Sequence, residues 1–237
     1  MSSPASLEAA LFLGDSDLIL SQRLGEWCGH APVLEEDLAL TNTALDLLGQ
    51  ARLWLALAAE LEGRGRNEDQ LAFLRDSGEF RNLLLAEQPN GDYAHTMMRQ
   101  YYFDAWHALE LERLRQDADP RVAAIAAKAA TENAYHLRRS RDWTVRLGDG
   151  TEESHRRAQA AAEDLWPYTG EMFQGESAPL RARWLEEVAK TFAQATLEIP
   201  SATWMHKGGR HGVHTEALGH LLAEMQFLQR AYPGAEW

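Results

Sequence analysis

Apolar residues recur at intervals of three and four positions along most of the 237-residue chain, and sustained alternation of apolar and polar residues is absent. This spacing is typical of amphipathic helices, and the abundant Ala, Leu, Glu, Arg and Gln favour helix. Prolines and glycines divide the pattern into long segments joined by tight turns. The sequence therefore predicts an all-α fold, an antiparallel helical bundle with extra helices.

The predicted helix ends are set by glycine and proline, and by acidic or hydroxyl residues at helix starts. On the second helix, seven mostly apolar positions fall on one stripe, which we expect to be buried. The stripe consists of Leu34, Leu38, Thr41, Leu45, Leu48, Leu55 and Ala59. The predicted helices span approximately Ser6–Trp27, Pro32–Leu61, Leu71–Arg75, Phe80–Glu87, Asp92–Gln116, Pro120–Leu147, Thr151–Trp166, Pro179–Leu197 and Thr215–Arg230.

Length and composition predict one helical domain over residues 1–237, with the hydrophobic (45%) and charged (25%) fractions of a globular protein. A net charge of −13 argues against a nucleic-acid partner. A basic, glycine-rich loop over 207–212 is interpreted as a mobile connection, with a phosphate or carboxylate contact as the alternative.

The single cysteine, Cys28, excludes an intramolecular disulfide and a metal site built on thiolates. The chain start lacks the pattern of a signal peptide, and no uncharged apolar run approaches the roughly 18 residues of a membrane span. We therefore predict a cytoplasmic protein without membrane contacts.

Ionisable residues lie on inward-facing stripes of two neighbouring helices. Asp104 and His107 share one face of the third long helix, and Glu132 and His136 lie on the fourth. Asp104 and Glu132 are both about 20 Å from the intervening turn, so they should face each other. Carboxylates and histidines in this arrangement are typical of a carboxylate-bridged di-iron site. Asp46, on the second helix, could supply a further carboxylate.

The ligand set is incomplete, however, because a di-iron centre needs a second carboxylate-x-x-His pair at the same height. Glu152 and His155 have this spacing, but they lie at the start of the fifth helix, about 24 Å along from Glu132, and cannot join the cluster. The residues therefore favour a buried hydrogen-bonded network without a metal, and a working di-iron pair is the alternative.

Five strings in the sequence are similar to those of a known family. They are Leu18-Ile-Leu-Ser-Gln-Arg-Leu-Gly-Glu-Trp-Cys-Gly-His30, Leu45-Asp-Leu-Leu-Gly-Gln-Ala-Arg52, Asn82-Leu-Leu-Leu-Ala-Glu-Gln-Pro-Asn-Gly91, Asp104-Ala-Trp-His107 and His214-Thr-Glu-Ala-Leu-Gly-His-Leu-Leu-Ala-Glu-Met-Gln-Phe-Leu-Gln-Arg230. Through them nearly the whole chain resembles the structural C subunits of the bacterial phenylacetyl-CoA 1,2-epoxidase family.

The resemblance implies a ferritin-like fold and a complex with a homologous A subunit, which carries the di-iron site and binds the CoA thioester. It also implies a small B subunit and a reductase subunit with FAD and an iron–sulfur centre, which uses NADPH. Such C subunits support the A subunit structurally, so the resemblance implies no catalytic, cofactor-binding or metal-binding residue in this chain. Asp46, Asp104, His107, Glu132 and His136 would then be a degenerate remnant of a di-iron site.

Two other functions are compatible with the sequence. An autonomous di-iron oxidase or iron-binding ferritin-like protein would need a further carboxylate and histidine near Glu132. A homo-oligomeric helical protein without a ligand would use its eight tryptophans where its copies meet. A homo-oligomer is also a possible state of the isolated scaffold subunit.

Overall fold

The computed structural model describes residues 4–235. All regular elements in this range are helical and none is a strand, which confirms the predicted all-α helical bundle. The ferritin-like class stays a prediction. In chain order the α-helices are α1 (Pro4–Gly25), α2 (Leu34–Glu62), α3 (Glu68–Phe73), α4 (Tyr93–Leu114), α5 (Pro120–Gly148), α6 (Glu152–Leu165), α7 (Arg181–Gln194), α8 (Glu216–Met225) and α9 (Phe227–Ala231). Short 3-10 helices lie at Ser77–Glu79, Trp166–Tyr168, Gly170–Phe173, Gly175–Leu180 and Gly209–His211.

The helices form two compact units. One contains the chain up to Pro89 together with the part that begins at Gly208, and the other contains Asn90–Lys207. The interpretation of residues 1–237 as one domain stays a prediction. No helix within residues 4–235 combines the length and the apolar character needed to cross a bilayer.

The first unit is built on α1 and α2, which pack along each other, with α3 against α2. The two long helices approach closely at Gly14, where an added Cβ would lie 3.0 Å from Leu55 and 3.1 Å from Trp54. Two turns after Gly14 on α1, the Ser21 hydroxyl donates to the Ala44 carbonyl of α2 at 2.8 Å. Small residues and side-chain hydrogen bonds thus fix the register of this helix pair.

The buried face of α2 differs from the predicted one. Leu55 and Ala59 are buried as expected, but four of the predicted stripe residues point to solvent. The buried residues instead belong to a second stripe that includes Leu40, Leu47 and Trp54. Because α2 carries two apolar stripes, its periodicity alone did not indicate which of them this chain covers. The exposed stripe residues are Leu34, Leu38, Leu45 and Leu48.

The helix predicted around Phe80–Glu87 is wrong, because this segment is irregular and ends in a turn. Its backbone N–H groups bond to side chains of α1 instead of forming a helix. Arg81 N donates to Asp15 at 2.8 Å, and Leu83 N donates to Ser16 Oγ at 3.0 Å. Distant polar partners therefore overrode the local helix propensity of the leucine-rich run.

Near its carboxyl end the chain forms two helices, where the sequence predicted one continuous helix over Thr215–Arg230. The break lies at Gln226, between α8 and α9. The Gln226 side-chain amide donates to the Ala72 and Arg75 carbonyls, both at 3.0 Å.

Before α8, the loop ending at Gly212 packs so closely that an added Cβ would come within 2.1 Å of Gly78 O. Whether the loop is mobile stays a prediction.

The second unit consists of α4, α5, α6 and α7, and α4 contacts the other three. Three of its four helices begin within one residue of the start predicted from glycine and proline turns, and each of these three has a side-chain cap. Asp92 accepts from His95 N at 2.9 Å, Asp119 accepts from Arg121 N at 2.9 Å, and Thr151 accepts from Ser154 N at 3.2 Å. The α4 stripe of Met97, Tyr101 and Asp104 is buried, as the spacing predicted.

Candidate functional site

The candidate site is a polar patch in the interior of the second unit, centred on Asp104 of α4. The Asp104 side chain is fully buried. One carboxylate oxygen accepts a hydrogen bond from Gln100 Nε2 at 2.7 Å, and the other accepts one from Ser140 Oγ on α5 at 2.7 Å. Asn133 Nδ2 donates to the Asp104 backbone carbonyl at 3.1 Å. Both carboxylate oxygens are therefore held by neutral donors of the chain itself.

His107 and His136 are buried in the same interior. The His107 ring stacks on Trp106, with centroids 5.7 Å apart, and contacts Phe103 at 5.0 Å. Burial, together with the electrostatic effect of the neighbouring His136, lowers the pKa of His107 to about 3. At neutral pH His107 is therefore an uncharged ring among aromatic side chains.

The pKa of Asp104 is shifted in the opposite direction. Burial raises its pKa to about 6, against the charge of His136 and the hydrogen bonds from Ser140 and Gln100, which favour the ionised form. Asp104 and His107 are thus both shifted toward their neutral forms by the same low-dielectric interior. The structure brings together three of the predicted site residues, Asp104, His107 and His136.

Glu132 is less deeply buried than these three residues. Its side chain is 24% exposed, and its carboxylate lies 3.7 Å from Lys128 Nζ, one turn earlier on α5. Its role as a site residue stays a prediction. The buried stripe of α5 passes through the next residue, Asn133, which lies about 100° further around the helix. Asn133 is therefore the most deeply buried polar residue of this turn of α5.

Asp46 belongs to α2 of the first unit and is half-buried there, and its part in the cluster stays a prediction. Among residues 4–235, no three side chains of His, Cys, Asp or Glu lie close enough together to hold a metal ion. A di-iron centre needs several carboxylates close together, whereas the carboxylate at the centre of this patch has the neutral side chains of Gln100 and Ser140 as its hydrogen-bond partners. The donor set of this interior does not fit a di-iron centre.

Comparison with known proteins identifies the lineage. A family model described as "Phenylacetic acid catabolic protein" matches residues 1–237. The chain belongs to this phenylacetic acid catabolic family. It is also 52% identical, over 241 aligned residues, to the C subunit of the 1,2-phenylacetyl-CoA epoxidase of Escherichia coli (strain K12), with 96% of this chain and 97% of that protein covered.

A second polar cluster, which the sequence analysis did not identify as a cluster, joins three of the strings that resemble this family. It is centred on Glu87, which is fully buried in the first unit. The Glu87 carboxylate accepts from Asn82 Nδ2 at 2.9 Å and from Thr215 N at 2.7 Å, and it contacts His214 Nδ1 at 2.9 Å. Arg23 donates to the Glu87 carbonyl at 2.9 and 3.1 Å.

The Glu87 cluster is a structural tie between distant segments. His214 Nε2 lies 3.0 Å from the Phe80 carbonyl, so both ring nitrogens of His214 face acceptors. His214 therefore links Glu87 to the backbone of the segment that begins at Phe80. In the sequence, Glu87 is visible only as a glutamate at the end of an apolar run. The cluster could not be predicted from it, because its partner His214 lies 127 residues further along the chain.

We expect the free energy of unfolding of Asp104→Asn, measured relative to wild type, to be higher at pH 7 than at pH 4. The pKa of Asp104 is raised from 3.8 to about 6 in the folded state. The folded state therefore holds the proton more tightly, and this group's contribution to stability is present below pH 4 and is lost as pH rises to about 6. Asparagine is neutral throughout, so the difference between variant and wild type grows over this window, by at most about 3 kcal/mol.

Urea unfolding at about pH 4 and about pH 7 measures this difference. His107 contributes in the opposite sense, because its pKa is lowered in the folded state and its contribution is lost as pH falls below about 6.5. His107 is present in both proteins, so its effect cancels when they are compared at the same pH. A stability difference that is constant or decreases with pH would show that folding does not raise the pKa of Asp104.

Proposed function

We propose that this chain is a non-catalytic structural subunit of a multicomponent phenylacetyl-CoA 1,2-epoxidase, working in aerobic phenylacetate degradation in the cytoplasm. The subunit would bind and support a homologous di-iron subunit, and a B subunit and a reductase with FAD, an iron–sulfur centre and NADPH would complete the enzyme. The observation that carries the proposal is the identity of 52% with the C subunit of such an epoxidase over almost the full length of both chains.

The interior of the second unit supports the non-catalytic part of the proposal. On α5, the deeply buried Asn133 donates from its amide to the Asp104 backbone carbonyl. The Asp104 carboxylate is bonded to Gln100 and Ser140. Each oxygen of the Asp104 carboxylate therefore has a hydrogen-bond partner within the chain, which lowers the cost of burying this group.

The role of such a subunit is to hold its partner in a defined geometry. A scaffold supplies no acid, base or nucleophile, and it acts by fixing the helices that position the partner's metal ligands. Removing the whole subunit would then reduce activity strongly, whereas changing Asp104 or His107 inside it would affect stability alone.

Reconstitution of the epoxidase from the subunits of one organism tests the proposal. We expect no epoxidation of phenylacetyl-CoA when this chain is left out, and none from this chain with the reductase alone. With the complete set, we expect Asp104→Asn and His107→Gln to retain turnover within about threefold of wild type, because neither residue touches a reacting atom.

A matched control is the replacement of one iron-binding carboxylate in the di-iron subunit, which should abolish turnover. Two results would contradict the proposal. One is epoxidation at the full rate without this chain. The other is a loss of turnover by more than about a hundredfold in Asp104→Asn while the complex remains assembled.

A further inference from the structure

The exposed stripe of α2 is a continuous apolar surface on the first unit. The leucines at 34, 38, 45 and 48 are 71%, 56%, 59% and 40% exposed. Thr41 lies between them and is half-buried, and Arg52 continues the line one turn further along. We call these six residues the α2 seam: Leu34, Leu38, Thr41, Leu45, Leu48 and Arg52.

The spacing within the α2 seam is that of a heptad repeat. Its members are alternately four and three residues apart, which is the a and d pattern of helices that pack side by side at about 20°. The seam is about 27 Å long at the rise of an α-helix. Beside it, Gly49 has no heavy atom within 4 Å of the position of an added Cβ, so a second helix can approach closely there.

Charge is distributed unevenly along the seam. Its first turn is acidic, with Glu35 exposed beside Leu34 and the helix N-terminus. Its far end is basic, because the side chain of Arg52 is 75% exposed, with one contact to Glu68 at 3.3 Å. The acidic end of one seam is therefore attracted to the basic end of a second seam, whereas two acidic ends or two basic ends repel each other.

An antiparallel pair of identical seams uses all of these features. In the register that aligns Leu38 with Leu48 of the other copy, Thr41 meets Leu45, and Arg52 lies beside Leu34 and Glu35. Every a position then packs against a d position, as antiparallel helix pairs require. A parallel pair would instead place the two acidic first turns and both helix N-termini side by side.

From this self-complementarity we propose that two copies of the isolated chain associate through the α2 seam, antiparallel and related by a two-fold axis. The contact is isologous, so it closes at the dimer and does not build a filament. This inference concerns the chain's own surface and does not rest on the proposed epoxidase function.

Light scattering of the purified protein, coupled to size exclusion over about 1 to 100 µM, tests the dimer. We expect wild type to form a dimer and Leu38→Glu/Leu48→Glu to be a monomer with an unchanged helical circular dichroism spectrum. Leu228→Glu on α9 is the matched control, because Leu228 is another exposed helical leucine, outside the seam, and this variant should dimerise like wild type.

Charge reversal tests the antiparallel direction. Arg52→Glu should weaken the dimer about tenfold, and the further change Glu35→Arg should restore it, because the pair of charges is then exchanged. A monomeric wild type at about 100 µM would overturn the proposal. So would a dimer that persists in Leu38→Glu/Leu48→Glu, or a monomeric wild type whose seam variants lose binding to another protein of the epoxidase.

Discussion

Replacing Asp15 with alanine is expected to lower the free energy of unfolding by about 3–5 kcal/mol. Asp15 and Arg75 form an ion pair in which both side chains are buried, with Arg75 Nη1 and Asp15 Oδ2 3.0 Å apart and Nη2 bonded to the other oxygen. Asp15 also accepts from Arg81 N. The variant would leave the Arg75 guanidinium buried without its counter-charge, together with an orphaned backbone N–H.

Urea unfolding followed by circular dichroism measures this loss, and Glu112→Ala is the matched control. Glu112 and Arg183 form a similar pair, 3.0 Å apart, but both side chains are exposed. Exposed pairs contribute less than about 1 kcal/mol. If Asp15→Ala were as mild as this control, the buried pair would not hold α1 to the segment after α3.

The second large effect is expected from Trp184→Ala in the other unit, also about 3–5 kcal/mol. Trp184 is buried on α7 and contacts the rings of Tyr102 at 5.5 Å, Trp166 at 5.5 Å and Phe173 at 5.3 Å. Its indole N–H donates to the Tyr102 carbonyl at 3.1 Å. Alanine would remove these contacts and leave a cavity between α4 and α7 that the surrounding rings fill only in part.

Thermal and urea unfolding should both show the loss, and Trp204→Ala is the control. Trp204 is 65% exposed, and its ring contacts His206 at 4.2 Å. Its removal should cost less than about 1 kcal/mol. Equal losses in the two variants would mean that the aromatic cluster around Trp184 is not the core of the second unit.

The sequence was most informative about helix ends, because these depend on local chemistry. Asp92, Asp119 and Thr151 cap helices within one or two residues of the predicted starts. It was least informative where a distant residue competes for the backbone. The segment after Phe80 reads as helix, yet Asp15 and Ser16 take its N–H groups from 66 and 67 residues away.

Burial of individual polar residues could be predicted only to within one helix position. Asp104, His107 and His136 are buried as expected, and Asn133 is more deeply buried than its neighbour Glu132. Apolar periodicity locates a stripe, and α5 has mostly alanine and small polar residues on its inner side, so the stripe edge is poorly marked. On α2 the apolar seam was visible, but its exposure follows from packing against α1, which no local pattern contains.

The most direct test of the central claim is the iron content of this chain purified alone after growth with iron. Mass spectrometric metal analysis should find iron near zero per chain, because within residues 4–235 no three side chains of His, Cys, Asp or Glu lie close enough together to hold a metal ion. About two irons per chain, lost in Asp104→Asn, would contradict the account and make this chain a di-iron protein itself.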